Sequence, residues 1–136
     1  MSFEIKGLNK ALANLDKYSR EVQSEVKIAV RDSTNDVRNK AVNNAPVNKK
    51  IGLGGNLRRG ITASNRGYEG AVKARADYAA FVEFGTGRRG ASSGVTPAIN
   101  YRYGGKAGMR AQPYMWPAAE AARPAFFAAL KRALKK

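Results

Sequence analysis

The chain has 136 residues, with 25 Lys/Arg against 10 Asp/Glu for a net charge of +15, and contains neither Cys nor His. That length sets the expectation of a single domain, 1–136, with a modest core. The missing Cys and His exclude disulfides, thiol chemistry, Cys/His zinc sites and any histidine-activated nucleophile. Residues 1–46 hold eight Lys/Arg and six Asp/Glu, whereas residues 47–136 hold 17 and four, so the second part carries +13. Such a surplus calls for a polyanion or an acidic protein surface as partner. Charges interrupt the first 20 residues, unlike a signal peptide, and no run nears the roughly 18 apolar residues of a membrane helix. The expectation is a protein made and used in a cytoplasm, or carried in a particle assembled there, with no membrane partner.

In residues 1–6, Phe3 and Ile5 alternate with polar neighbours, which suits a short strand. After Gly7, a stripe of Leu8, Leu12, Leu15, Tyr18, Val22, Val26, Ala29, Ser33, Val37 and Ala41 recurs at helical steps. This predicts a helix of about 36 residues, a rod of roughly 54 Å. It should stop before Ala45-Pro46, because proline disfavours helical geometry in the residue ahead of it. A polar, Gly-rich connector follows. Residues 57–63 and 68–74 are expected to form a basic β-hairpin, with its turn on Ser64-Asn65-Arg66-Gly67.

The most apolar aromatic stretch runs from Asp77 to Thr86. Tyr78, Phe81 and Val82 share one helical face, and Gly85 suits a left-handed cap, so residues 77–84 are expected to be a short helix, with a strand as the alternative because Phe81-Val82-Glu83-Phe84 is equally strand-like. Asp77 is expected to cap it. Glu83 is expected to pair with an Arg, within the subunit or across an interface. Residues 87–110 hold six Gly and five cations (Arg88, Arg89, Arg102, Lys106 and Arg110) with little periodicity. They predict a structureless basic loop that binds a partner. A last helix is expected to start near Pro117 and to kink or restart at Pro124. The sum is an α+β fold: long N-terminal helix, small antiparallel sheet with a hairpin, short helix and C-terminal helix.

Gly85-Thr86-Gly87-Arg88-Arg89-Gly90 spells a dinucleotide fingerprint without its context. Ala91-Ser92-Ser93-Gly94 follows where a helix should open, and no acid stands about 20 residues on. Only Glu69, Asp77, Glu83 and Glu120 are acidic after residue 46, too few and too scattered for a metal-dependent nuclease. No catalytic, cofactor or metal residue is assigned. Tyr101-Arg102-Tyr103-Gly104-Gly105-Lys106 interleaves aromatics, cations and glycines, as a segment that contacts nucleic acid would. A sequence-independent DNA- or RNA-binding protein is therefore one reading of the chain.

A second reading comes from four blocks in order: Ala45-Pro46-Val47, Gly55-Asn56-Leu57-Arg58-Arg59-Gly60-Ile61, Tyr78-Ala79-Ala80-Phe81-Val82-Glu83-Phe84-Gly85-Thr86 and Arg110-Ala111-Gln112-Pro113-Tyr114-Met115. The series resembles the small tail-completion (neck, or head–tail joining) family of tailed bacteriophages, the lambdoid gene-product-ten-like group. The third block is the most specific. The connector between Pro46 and Leu57 and the insertion at 87–109 are longer than the family pattern, so loop contacts do not carry over. The resemblance implies a virion structural protein without catalysis or cofactor, assembled in the host cytoplasm. It implies a homo-oligomeric ring, of six subunits, between the head-completion (connector) protein and the tail terminator or tail tube, with the genome in its lumen. On this reading Tyr78, Phe81, Glu83, Phe84, Gly85, Thr86, Pro113 and Tyr114 serve subunit or core packing. Arg88, Arg89, Arg102, Lys106 and Arg110 face DNA or a neighbouring ring.

Overall fold

A computed structural model of the chain describes residues 2–4, 18–47, 55–94, 108 and 110–135. The long helix, α1, is Arg20–Asn44. The Ser19 hydroxyl accepts a hydrogen bond from the Val22 N–H at 3.3 Å, and Glu21 lies in the first turn. Both are favourable where helix N–H groups are unpaired and the dipole is positive. The expectation of one helix running unbroken through Ser19 is therefore corrected. The apolar period runs through Ser19, but the backbone there is extended (ψ 159°), and 25 helical residues follow. Leu8, Leu12 and Leu15 lie outside the described residues. The C-terminal end falls where Pro46 places it, with Ala45 extended after Asn44.

Residues 57–59, expected in a strand, lie instead in a single helical turn, α2 (Asn56–Arg59). Gly55 turns the chain into it with φ +102°, and the Arg58 guanidinium donates to the Ala45 carbonyl at 2.9 Å. The hairpin then comprises β2 (Ile61–Arg66) and β3 (Glu69–Ala74). Its loop is Gly67-Tyr68, further along than the expected turn, because Arg66 still pairs with Glu69. Gly67 has φ +60° and no described non-glycine residue has positive φ, which fits a two-residue type II′ loop. β1 (Ser2–Glu4) adds antiparallel to the other edge of β3, giving the order β1-β3-β2.

The sheet meets α1 through the alternate residues Gly70, Val72 and Ala74 of β3, all buried. A Cβ on Gly70 would stand 1.9 Å from the Thr34 hydroxyl oxygen, so glycine sets how closely strand and helix approach. Thr34 is itself fully buried and donates back to the Val30 carbonyl at 2.7 Å.

The chain continues through α3 (Ala79–Phe84) and α4 (Gly87–Ser92) to α5 (Met115–Leu134). Two apolar clusters show that α5 runs antiparallel to α1. In one, Val37 and Ala41 meet Met115, Ala118 and Ala122; in the other, Val22, Val26 and Val30 meet Phe126, Leu130 and Ala133. α5 is continuous through Pro124, so the helix does not restart there. Pro124 is exposed, so its ring faces away from the packed stripe.

Candidate functional site

The stretch from Asp77 to Thr86 forms a junction between α3, α4 and the start of α5. Tyr78, not Asp77, occupies the N-cap of α3, without a side-chain capping bond, which corrects the expected role of Asp77. The aromatic residues are not what α3 buries most deeply. Ala79, Val82 and Glu83 are buried, Phe81 and Phe84 are half-buried, and Tyr78 is 43% exposed.

Glu83 is fully buried, and its partners are not arginines. One carboxylate oxygen, Oε2, accepts the N–H groups of Tyr114 (2.8 Å) and Met115 (2.9 Å), and Oε1 accepts that of Trp116 (2.9 Å). An α-helix opens with four N–H groups that have no partner within it. Here the opening positions are Tyr114, Met115, Trp116 and Pro117, and proline has no N–H. Glu83 therefore takes every donor the start of α5 offers, and its negative charge lies at the positive end of the helix dipole. An Arg partner was the wrong expectation because the competing donors come from residues more than 30 positions away. Pro117 was the available signal, as a helix-opening residue that leaves three donors to be answered.

Further bonds close the junction. The Gln112 N–H donates to the Val82 carbonyl at 2.7 Å, and the Tyr114 hydroxyl donates to the Ala79 carbonyl at 3.3 Å. Tyr114 is fully buried. Its phenol is pushed well above the ordinary tyrosine range, first by burial, then by the Glu83 charge and by Tyr78, which keeps it a donor. Asn44, at the end of α1, donates to the Tyr114 carbonyl at 3.5 Å.

The glycines of Gly85-x-Gly87-x-x-Gly90 have structural tasks. Gly85 has φ 72° and ψ 177°. This is not the left-handed cap expected but an extended positive-φ conformation essentially confined to glycine. Gly87 also has positive φ, and a Cβ on Gly90 would meet the Gly85 carbonyl carbon at 2.7 Å. Gly108, which no local pattern marks, lies over this turn: its Cβ would be 2.0 Å from the Thr86 carbonyl oxygen. A helix does open at Gly87, against the expectation of a structureless loop from there, but it follows α3 rather than a strand, so the fingerprint's context remains unmet. Ser93 ties α4 to the returning chain, donating to the Arg89 carbonyl (2.7 Å) and accepting from the Ala111 N–H (3.0 Å).

Of the expected partner-facing cations, Arg88 and Arg89 are exposed on α4 and Arg110 is exposed beside the junction. Arg102 and Lys106, with the rest of the Tyr101–Lys106 motif, lie outside the described residues. Gly85, Thr86 and Tyr114 are buried, and Pro113 is half-buried. Among the described residues, no three Asp or Glu gather as a metal site would require, and no helix is long and apolar enough to cross a membrane.

The fold and junction define a small α+β protein whose signature block is architectural. The chain belongs to the HK97-gp10-like family, whose description reads "Bacteriophage HK97-gp10, putative tail-component": the family profile matches residues 9–85, over half of the sequence. Neither the curated proteins nor the solved structures provide a match. The matched region covers α1, the hairpin and α3, including Glu83.

Proposed function

We propose that the chain is a structural, non-enzymatic subunit of a phage head–tail joining ring. It would link the head connector to the tail terminator or tail tube and surround the DNA channel in the virion neck. The match to a bacteriophage tail-component family carries this reading. The junction supports it, because the one buried carboxylate of the signature block is occupied by backbone N–H groups instead of being open to a substrate. The charge of +15 supports the channel, since phosphate attraction needs cations and no base readout.

Within this reading the block has two kinds of residue. Glu83, Gly85, Thr86 and Tyr114 hold the subunit together, with Phe81, Phe84 and Pro113 half-buried around them. Tyr78, exposed, is available to a neighbour. Arg110, with Arg102 and Lys106, would face DNA or the next ring, and Arg88 and Arg89 a neighbouring subunit.

Deleting the gene from its phage tests the proposal. Electron microscopy of lysates should show DNA-filled heads and finished tails lying apart, and added purified protein should restore joined, infectious particles. Joined particles at normal yield without the protein would overturn it.

A further inference from the structure

A groove runs between α1 and α5 at the end remote from the Glu83 junction. Two depressions of about 320 and 240 Å³ adjoin there and share Ala29, Asp32 and Ala129. Alanines form the floor, Ile28 adds an apolar side chain that is 45% exposed, and Glu25, Asp32 and Asp36 stand along α1. Among the described residues, Arg132 is the one cation of the lining. Three carboxylates against one cation invert the balance of a chain with 25 Lys/Arg and 10 Asp/Glu. Asp32 has Arg31 at 3.3 Å, well exposed, and Asp36 has Lys40 at 2.6 Å, partly exposed, each partner on α1 itself. Exposed pairs of this kind hold weakly, and an incoming cation that is better desolvated can replace them. The volumes lie around the bottom of the range of roughly 300–1,000 Å³ typical of small-molecule pockets, so the groove suits side chains of a protein surface.

The opposite end of the molecule has the complementary chemistry. Trp116 and Tyr78 are 55% and 43% exposed beside the junction, and Arg88 and Arg89 are exposed on α4. Trp116 and Ala129 both belong to α5, and their 13-residue separation makes about 20 Å of rise along it. One copy cannot bring the two surfaces together.

We infer that the acid-lined groove between α1 and α5 receives the aromatic, arginine-bearing end of a second copy of this chain. The contact is head to tail, the type that closes into a ring when the rotation allows. It rests on the self-assembly part of the proposed function and specifies which surfaces meet. Trp116 supplies apolar area for the alanine floor, and Arg88 and Arg89 supply charge for Asp32 and Asp36.

The full chain is tested by sedimentation velocity across a concentration series at low salt. Wild type should gain mass with concentration. Asp32→Arg with Asp36→Arg, and separately Arg88→Glu with Arg89→Glu, should each weaken self-association about tenfold or more, because like charges then face each other. A chain carrying all four reversals should assemble again. Circular dichroism checks folding. Because the chain has no cysteine, mixing the single variants Asp32→Cys and Arg89→Cys gives a second readout, in which mixed disulfide dimers should exceed either homodimer. If all reversed chains assemble as wild type does and no mixed disulfide forms, this interface is wrong while the ring reading stands. If wild type stays monomeric at every concentration, both fall.

Discussion

At Glu83, three backbone donors converge on two carboxylate oxygens inside the protein. Glu83→Gln keeps the shape but replaces one acceptor oxygen with an NH₂ group, which would face an N–H. A buried donor left unpaired costs about 1–3 kcal/mol. Chemical denaturation should register a loss of that size, and phage carrying the variant should yield fewer joined particles. Unchanged stability and yield would remove Glu83 from its central position. This residue could be picked out in the sequence, as the one charge within an apolar block. Its partner could not, because a preference for Arg is a statement about average surfaces, while the true donors depended on where α5 begins. Gly85 shows the same division. Its place after α3 was legible, whereas its extended positive-φ geometry belongs to a turn against which Gly90 packs closely, a contact no local pattern marks.

Between elements, the closest approach is that of β3 to α1 at Gly70 and Thr34. Gly70→Ala should destabilise the protein by about 1–3 kcal/mol through overpacking, since the new methyl would overlap the Thr34 hydroxyl. Adding Thr34→Ala should recover a large part of that loss, and a double-mutant cycle by thermal melts would measure the coupling. Independent effects of the two changes would mean the strand and helix can part without cost. Helix-period and proline signals were enough to place the C-terminal end of α1 and the existence of α5. They failed at three boundaries for separate reasons. A serine cap at Ser19 overrode an apolar stripe that continues through it. A tie from Arg58 to the end of α1 turned a strand-like segment into α2. Pro124 sits on the exposed side of a helix held by packing, so the loss of one hydrogen bond did not break it.

For the whole molecule, the distribution of charge connects the proposed channel to a measurable property. If Arg102, Lys106 and Arg110 meet phosphates, raising salt from 50 to 200 mM should weaken binding to duplex DNA by roughly 40-fold. Fluorescence anisotropy with duplexes of unrelated sequence should give the same affinity. Arg110→Ala should lower the salt slope by about 1. A strong preference for one sequence, or salt-insensitive binding, would contradict the channel role. Composition alone conveyed the excess of positive charge but not its geometry. The grouping of Glu25, Asp32 and Asp36 along one groove appears only once α5 lies beside α1.

The clasp between Glu83 and the start of α5 also has a consequence for how this protein can change. It joins the chain across a gap of 31 to 33 residues, so the segment between is anchored at its base on both sides. Doubling the length of such a closed segment adds only about 0.6 kcal/mol of closure entropy. New sequence can therefore be accepted between α4 and α5 while the framework beneath is kept. An extension after Ser92 is then a natural outlet for variation, through which the same scaffold could be fitted to different neighbours.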